Sequence, residues 1–272
     1  MTEPTDYEKS QVDAIVAWRK EEPGVATRAV GVVVAPLARL VQRVVPEATI
    51  RVAIDGASAA GKWLADAGDV RRDAGVDRIA ELRGRDLELS DRLADGVHNW
   101  AIGLAAVEGT ATGAFGILGA PVDLPAIITL AMRTIHKVGL CYGYECVAEQ
   151  DRHFAQSVLA ASGANSIEEK LAALASLTAL RTTLARQTWK AIAEKAAHDQ
   201  LSREAVIVVV RNLAKQLGVN ITKRRALAAI PALGALVGGS VNGWYLREVG
   251  WAARRAFQER WLVDAGKFAP AD

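Results

Sequence analysis

Proline, phenylalanine and tyrosine are scarce in this 272-residue chain, at 8, 4 and 4 residues. So few prolines leave long stretches free to run on as helix, because an interior proline breaks the turn it sits in. Cysteine is down to two, Cys141 and Cys146. A helical pair at that spacing points to different faces, and one C-x4-C pair makes no zinc site, so neither a disulfide nor a metal centre is expected. Both read as buried thiols of a cytoplasmic protein. A surplus of one charge is also lacking: 33 basic and 31 acidic side chains leave a net +2. With 51% hydrophobic residues, that balance excludes a disordered chain. No unit of roughly 20–50 residues recurs, which excludes a solenoid. Met1 to Lys9 is polar and mildly acidic, so no secretory signal is expected there.

What the chain has in abundance is alanine and glycine, 51 and 23 residues. Alanine is the best helix former, and small side chains let helices approach closely. The expectation is an all-α fold: a single compact bundle of about 8–10 helices, covering 1–272, with a small-residue-rich central helix pair. Residues 1–22 should form an N-terminal helix packed on the bundle, and 263–272 a flexible tail.

Local signals divide the chain further. Thr5-x-x-Glu8 is a capping box opening a helix through Trp18 and Arg19, closed by Pro23-Gly24. Apolar helices are expected at about 25–45 and 46–66, then short helix and loop over 67–86. Ser90 should cap a helix through Trp100 into Ala106, and Asp123 with Pro125 should restart one to about Tyr142. Further helices are expected at about 147–161, 167–198 and 203–217, with a last, interrupted one from Thr222 to Leu262.

Several motifs fail on inspection. Gly56-Ala57-Ser58-Ala59-Ala60-Gly61-Lys62 nearly spells a phosphate-binding loop, but Trp63 stands where Ser or Thr must hold magnesium. Gly238-Gly239-Ser240-Val241-Asn242 lacks the closing glycine and the preceding strand of a nucleophile elbow. The four histidines, His98, His136, His153 and His198, form no metal-ligand pattern. No cofactor is therefore expected.

The signals that survive are apolar, small and basic. Gly109/Gly113, Gly139/Gly143, Gly234/Gly238 and Gly239/Gly243 each have G-x-x-x-G spacing, which puts two glycines on one helix face. With Gly116, Gly119, Pro121, Pro231 and Asn242 they mark the expected zone of close helix packing. Ala226 to Tyr245 is a run of 20 uncharged residues, long enough for a bilayer, yet it contains Pro231, four glycines and Asn242. Residues 203–261 carry 10 basic and 3 acidic side chains, whereas 1–100 carry 14 and 17. Lys223, Arg224 and Arg225 precede the uncharged run; Trp244, Arg247, Trp251, Arg254 and Arg255 follow or end it. Amphipathic rings beside arginines suit a membrane interface or a protein partner, while a core stripe gives the same spacing. No nucleic-acid recognition motif accompanies the basic stretch, so no nucleic-acid partner is expected. Glu108, Asp123 and Arg133 break the central apolar region. Asp123 is explained as a helix cap, and Glu108 could pair with Arg133, since an isolated buried charge is too costly. Together with His136 and Tyr142 these are the candidate catalytic residues should the protein be a hydrolase.

The stretch Gly113-Ala114-Phe115-Gly116-Ile117-Leu118-Gly119-Ala120-Pro121-Val122-Asp123-Leu124-Pro125, followed by Arg133-x-x-His136 and Tyr142-Gly143-Tyr144-Glu145, resembles the EcsC protein family. So do Lys223-x-x-Ala226, Ala229-Ile230-Pro231-x-x-Gly234-Ala235-x-x-Gly238-Gly239-x-x-Asn242, and Val249-Gly250-x-Ala252-Ala253-Arg254. Val122 stands where a small residue is expected. The resemblance runs from about Tyr7 to Leu262. It implies a bacterial helical protein, cytoplasmic or peripheral to the inner face of the plasma membrane, and it brings no catalytic residue. The reading that follows is a non-enzymatic module docking on a membrane or a membrane protein, accessory to transport or secretion. The alternatives are a protein that binds lipid or another apolar ligand, and the hydrolase.

Overall fold

The computed structural model describes residues 3–21, 56, 65–113, 120–146, 149–162 and 234–269. Among these there are six α-helices, one 3-10 turn and no strand, in agreement with the all-α expectation. The helices are α1 (Asp6–Lys20), α2 (Gly68–Ala74), α3 (Leu87–Gly113), α4 (Ala120–Cys141), α5 (Glu149–Ser162) and α6 (Gly234–Asp264); the 3-10 turn is Ile79–Gly84. The helices expected at 25–45, 46–66, 167–198 and 203–217 lie outside the described residues, as does the phosphate-loop look-alike apart from Gly56.

α1 starts where the sequence says it should. The Glu8 amide donates to Thr5 Oγ1 at 3.2 Å and the Thr5 amide donates to Glu8 Oε2 at 2.8 Å, so the capping box satisfies two end-of-helix donors. Asp6 and Glu8 lie at its positive end, Arg19 and Lys20 at its negative end. α2 ends at Gly75, whose φ of 64° only glycine takes readily. Two helix starts differ from expectation. Ser90 is no cap: its amide already donates to the Asp86 carbonyl at 3.4 Å, so the first turn closes before it and the helix begins at Leu87. Asp123 lies inside the first turn of α4, which begins at Ala120. An acidic residue near either end of that turn meets the same positive pole, which is why sequence cannot place the boundary more finely.

α3, α4 and α6 form the centre, with α6 lying along α3 and both against α4; α5 and α1 pack on α6. Contacts run Asp91 to Gln258, Asp95 to Arg254 and His98 to Trp251, so α3 and α6 are antiparallel. Phe257 is the hub of the core, its ring 5.1 Å from Phe154, 5.8 Å from Tyr144 and 6.4 Å from Tyr142. Burying such a ring stabilises the fold by about 1.5–3 kcal/mol. Gly139 makes room for it, since a Cβ there would lie 2.8 Å from Phe257 Cζ. The Gly139/Gly143 pair is therefore not one helix face: α4 stops at Cys141, and Gly143, at φ 87°, closes the helix end with its amide on Leu140 O at 3.0 Å. Cys141 and Cys146 are both buried thiols outside any disulfide, and burial pushes the Cys141 thiol far above its usual range.

Residues 263–269, expected as a flexible tail, fold back instead. Gly266 turns the chain at φ 67°, Phe268 packs on the core, and Lys267 Nζ bonds the buried Glu8 carboxylate at 2.7 Å. Arg19 holds Glu259 through two bonds of 3.1 and 2.5 Å. α1 is thus fastened near both ends, to the C-terminal helix and to the turn that follows it.

Candidate functional site

A cavity of about 460 Å³ opens between α2, α3 and α4. α3 supplies its floor with Leu93, Gly96, Val97 and Trp100, and Arg92 at its edge; α2 supplies Asp69, Val70 and Asp73; α4 supplies Arg133 and Lys137. Arg92, Gly96 and Trp100 recur every four residues and so line one face of α3. On α4, Arg133 and Lys137 are likewise one turn apart. The Arg133 guanidinium lies 4.1 Å over the Trp100 ring, a cation–π contact that fixes both side chains. Burial lowers the Arg133 pKa, and the Asp69 charge opposes that. The Lys137 ammonium, itself buried, pairs with Asp69. Burial alone would raise the Asp69 pKa, but the Lys137 bond and charge and the Val70 and Asp69 amides outweigh it and lower it. Asp73 has Arg72 beside it at 3.5 Å. Three cations and two carboxylates thus line the cavity: Lys137 pairs with Asp69, and Asp73 pairs with Arg72, which is not among the lining residues.

A second polar cluster centres on a buried carboxylate. Asp91, 1% exposed, accepts from Tyr7 Oη at 2.6 Å, from Gln258 Nε2 at 2.8 Å on each oxygen, and from Tyr142 Oη; Arg254 lies 3.5 Å away. Burial, then the Asp91 charge and hydrogen bond, hold both phenols well above their usual pKa, so they remain donors. Arg254 reaches on to Asp95, and Arg255 donates to Gln11 at 3.1 Å and Gln258 at 2.8 Å. Burial works against the charge on Arg254, but Asp91 and its neighbours outweigh it and raise the pKa.

The sequence-predicted residues separate accordingly. Arg133 lines the cavity; His136 is buried and does not, and Tyr142 is committed to Asp91. Glu108 lies on α3 and Asp123 on α4, with side chains outside the described residues. A shared hydrolase pocket of Arg133, His136 and Tyr142 is therefore not what the fold builds. Of the expected basic surface, Trp251, Arg254 and Arg255 are partly buried: both arginines lie 5.3 Å over the Trp251 ring, Arg254 is bonded to α3 and Arg255 to α1. Arg247 is exposed on α6. Lys223, Arg224, Arg225, Pro231, Gly116 and Gly119 lie outside the described residues. Gly109 and Gly113 are on α3, Pro121 on α4, and Gly234, Gly238, Gly239, Asn242 and Trp244 on α6; the surroundings of these side chains are not described. Asp69, Arg92, Gly96 and Trp100 escaped sequence reasoning as site residues, whereas the one-turn spacing of Arg133 and Lys137 pointed to a common cleft. Only the four-residue spacing of Arg92, Gly96 and Trp100 signals their common face.

His98 adds a titrating group at the α3–α6 contact. It is buried, edge-on to Trp251 at 5.7 Å, with Asp95, Arg247 and Arg254 nearby. Burial lowers its pKa from 6.5; the Arg247 backbone and Asp95 pull the other way, the Arg254 and Arg247 cations with it. The unfolded chain then takes the proton first, so His98 costs no stability above about pH 6.5 and a growing amount as pH falls toward its folded value. Urea titrations should show stability declining from about pH 6.5 to 5, before most carboxylates titrate, with a flatter decline in His98→Leu. An identical slope in both proteins would refute the assignment.

Among the described residues no group of His, Cys, Asp and Glu could hold a metal ion, and no helix is long and apolar enough to cross a membrane. An all-helical bundle with a charged cleft between helices is the class that the fold defines. Residues 9–262 match the EcsC protein family, and the chain belongs to it. It is similar to the uncharacterized protein YdbA of Bacillus subtilis (strain 168), 25% identical over 92 residues. That match covers 34% of this chain and 34% of the relative, so the chain spans about a third of its length. No solved structure matches.

Proposed function

We propose that this EcsC-family chain is a non-enzymatic module that docks on an anionic lipid surface at the inner face of the plasma membrane. Its contact edge is the Trp100–Leu104 face of α3. The observation that carries this reading is their exposure: Trp100 and Leu104 are 49% and 36% exposed, one helical turn apart, in a protein whose other described large hydrophobics are covered. Trp100 has the Arg133 guanidinium on its ring and shares its face of α3 with exposed Arg92. An amphipathic ring between cations is the side-chain set that enters the headgroup region of an anionic bilayer. We place the contact edge on α3 rather than on the expected basic surface of residues 203–261, since Trp251, Arg254 and Arg255 of that surface are bonded to or stacked on one another, α1 and α3. Accessory work in transport or secretion is the cellular role compatible with such docking.

Sedimentation with vesicles tests it. The protein should pellet with phosphatidylglycerol-rich vesicles at low salt, remain in solution with phosphatidylcholine vesicles, and be released as salt screens the contact. Losing two partly inserted apolar side chains in the Trp100→Ala/Leu104→Ala variant should weaken binding by at least about tenfold. Protein that stays soluble with anionic vesicles at low salt would overturn the proposal.

A further inference from the structure

We infer that His98 is a proton-operated wedge: its protonation parts α3 and α6 beside the Trp100–Leu104 edge and so strengthens attachment to an anionic bilayer. The attachment half rests on the docking reading above; the parting of the helices does not. Along the antiparallel pair the contacts Asp91–Gln258, Asp95–Arg254 and His98–Trp251 follow one another toward Trp100. The first two are hydrogen-bonded and hold their end of the seam closed. The third is a buried imidazole packed against Gly250, where an added Cβ would collide with it. His98 is 6% exposed, and its Nε2 is buried with no hydrogen-bond partner among the described residues. A neutral imidazole tolerates that site, because one ring nitrogen then carries no proton. An imidazolium has two protons to donate and a charge to solvate, so the same site penalises it. The charged groups facing the ring are Asp95 from α3 and Arg247 and Arg254 from α6. Asp95 and the Arg247 backbone favour the added proton, but Asp95 already holds Arg254, and both arginines repel it. With Trp251 edge-on and the Gly250 backbone against it, the ring reaches water only if the two helices part. Ala101, one turn beyond His98, and Leu246, one turn before Gly250, are 0% exposed, and parting bares them next to Trp100. An anionic surface at about −30 mV lowers the local pH by about half a unit, so attachment and protonation reinforce each other.

The full chain is measured at about pH 7.5 and 5.5, by hydrogen exchange and mass spectrometry without lipid and by sedimentation with phosphatidylglycerol-rich vesicles. After correction for intrinsic exchange, acidification should speed the amides of 96–104 and 246–252 by at least about threefold, with those of 130–138 in α4 unchanged. It should strengthen pelleting at least about threefold more than it does for His98→Leu, in which only the carboxylates titrate. His98→Leu, and His98→Gln as a polar neutral variant, should lose the exchange response. Gly250→Ala, which wedges the helices apart with a methyl group, should show the faster exchange and the stronger pelleting already at about pH 7.5. Equal acid responses in the parent and both His98 variants would overturn the switch. Faster exchange with no gain in pelleting, in acid or in Gly250→Ala, would overturn its role in attachment. Protein that pellets at neither pH would refute the docking reading, and the exchange measurement would still decide whether the seam is proton-operated.

Discussion

Replacing Asp91 by alanine should cost the protein about 3–5 kcal/mol, the range expected when one member of a buried ion pair is removed and the other left uncompensated. Asp91 is the point where three parts of the chain converge: Tyr7 from α1, Tyr142 from the end of α4, and Gln258 with Arg254 from α6. Without the carboxylate, the buried Tyr142 phenol and the part-buried Tyr7 phenol lose their acceptor, the Gln258 amide nitrogen keeps only Gln11, and Arg254 is left with Asp95. Asp91→Asn should be nearly as damaging, because its amide N–H groups would face a ring of donors rather than accept from it. Tyr7→Phe removes a single donor and should cost only about 0.5–1.5 kcal/mol. Urea titrations followed by far-ultraviolet circular dichroism measure all three. Against a total of about 5–15 kcal/mol for a typical domain, the alanine variant should be visibly unstable. A loss under about 1 kcal/mol would mean that the carboxylate is not what holds α1, α3, α4 and α6 together.

That convergence also shows why the interior was hard to read. The capping box of α1 was legible because both partners lie three residues apart. The fold class was legible because alanine abundance and proline scarcity act on every turn independently. Asp91 finds its partners 84, 51 and 167 residues away, and no local pattern encodes such contacts. The same limit applies to the expected basic surface. A stripe of Trp251, Arg254 and Arg255 on a helix has one periodicity whether it faces lipid or a buried carboxylate on another helix. The contrast between an acidic-leaning first hundred residues and a basic 203–261 was real, but part of it is consumed internally. Arg254 meets Asp91 and Asp95, and Arg260 meets Asp151 at 2.9 Å while lying 4.1 Å over Tyr144. Charge complementarity between distant segments is therefore one of the forces that assembles this bundle.

Gly250→Ala should reverse the sign that helix propensity assigns to it. Gly250 is interior to α6, where alanine is ordinarily better by about 1 kcal/mol. A Cβ at this position would lie 2.2 Å from His98 Cδ2 and 2.6 Å from Nε2, inside any tolerable contact. The imidazole has little freedom to retreat, being buried with Trp251 edge-on to it. Either α3 and α6 move apart or the ring leaves its rotamer, and overpacking of this kind costs about 1–3 kcal/mol, occasionally more. The net expectation is a loss of about 2 kcal/mol in the single variant, read from the urea midpoint. The decisive comparison is made in a His98→Ala background, which is itself destabilised by the space the ring vacates. There the added methyl meets no ring, so Gly250→Ala should become neutral or stabilising by up to about 1 kcal/mol. A glycine retained for close approach of two helices must show this dependence on the residue it faces. If Gly250→Ala has the same effect with and without the His98 ring, the contact does not set the spacing of α3 and α6. If the sign changes, one pair of positions accounts for how near the two central helices of this small-residue-rich bundle can come.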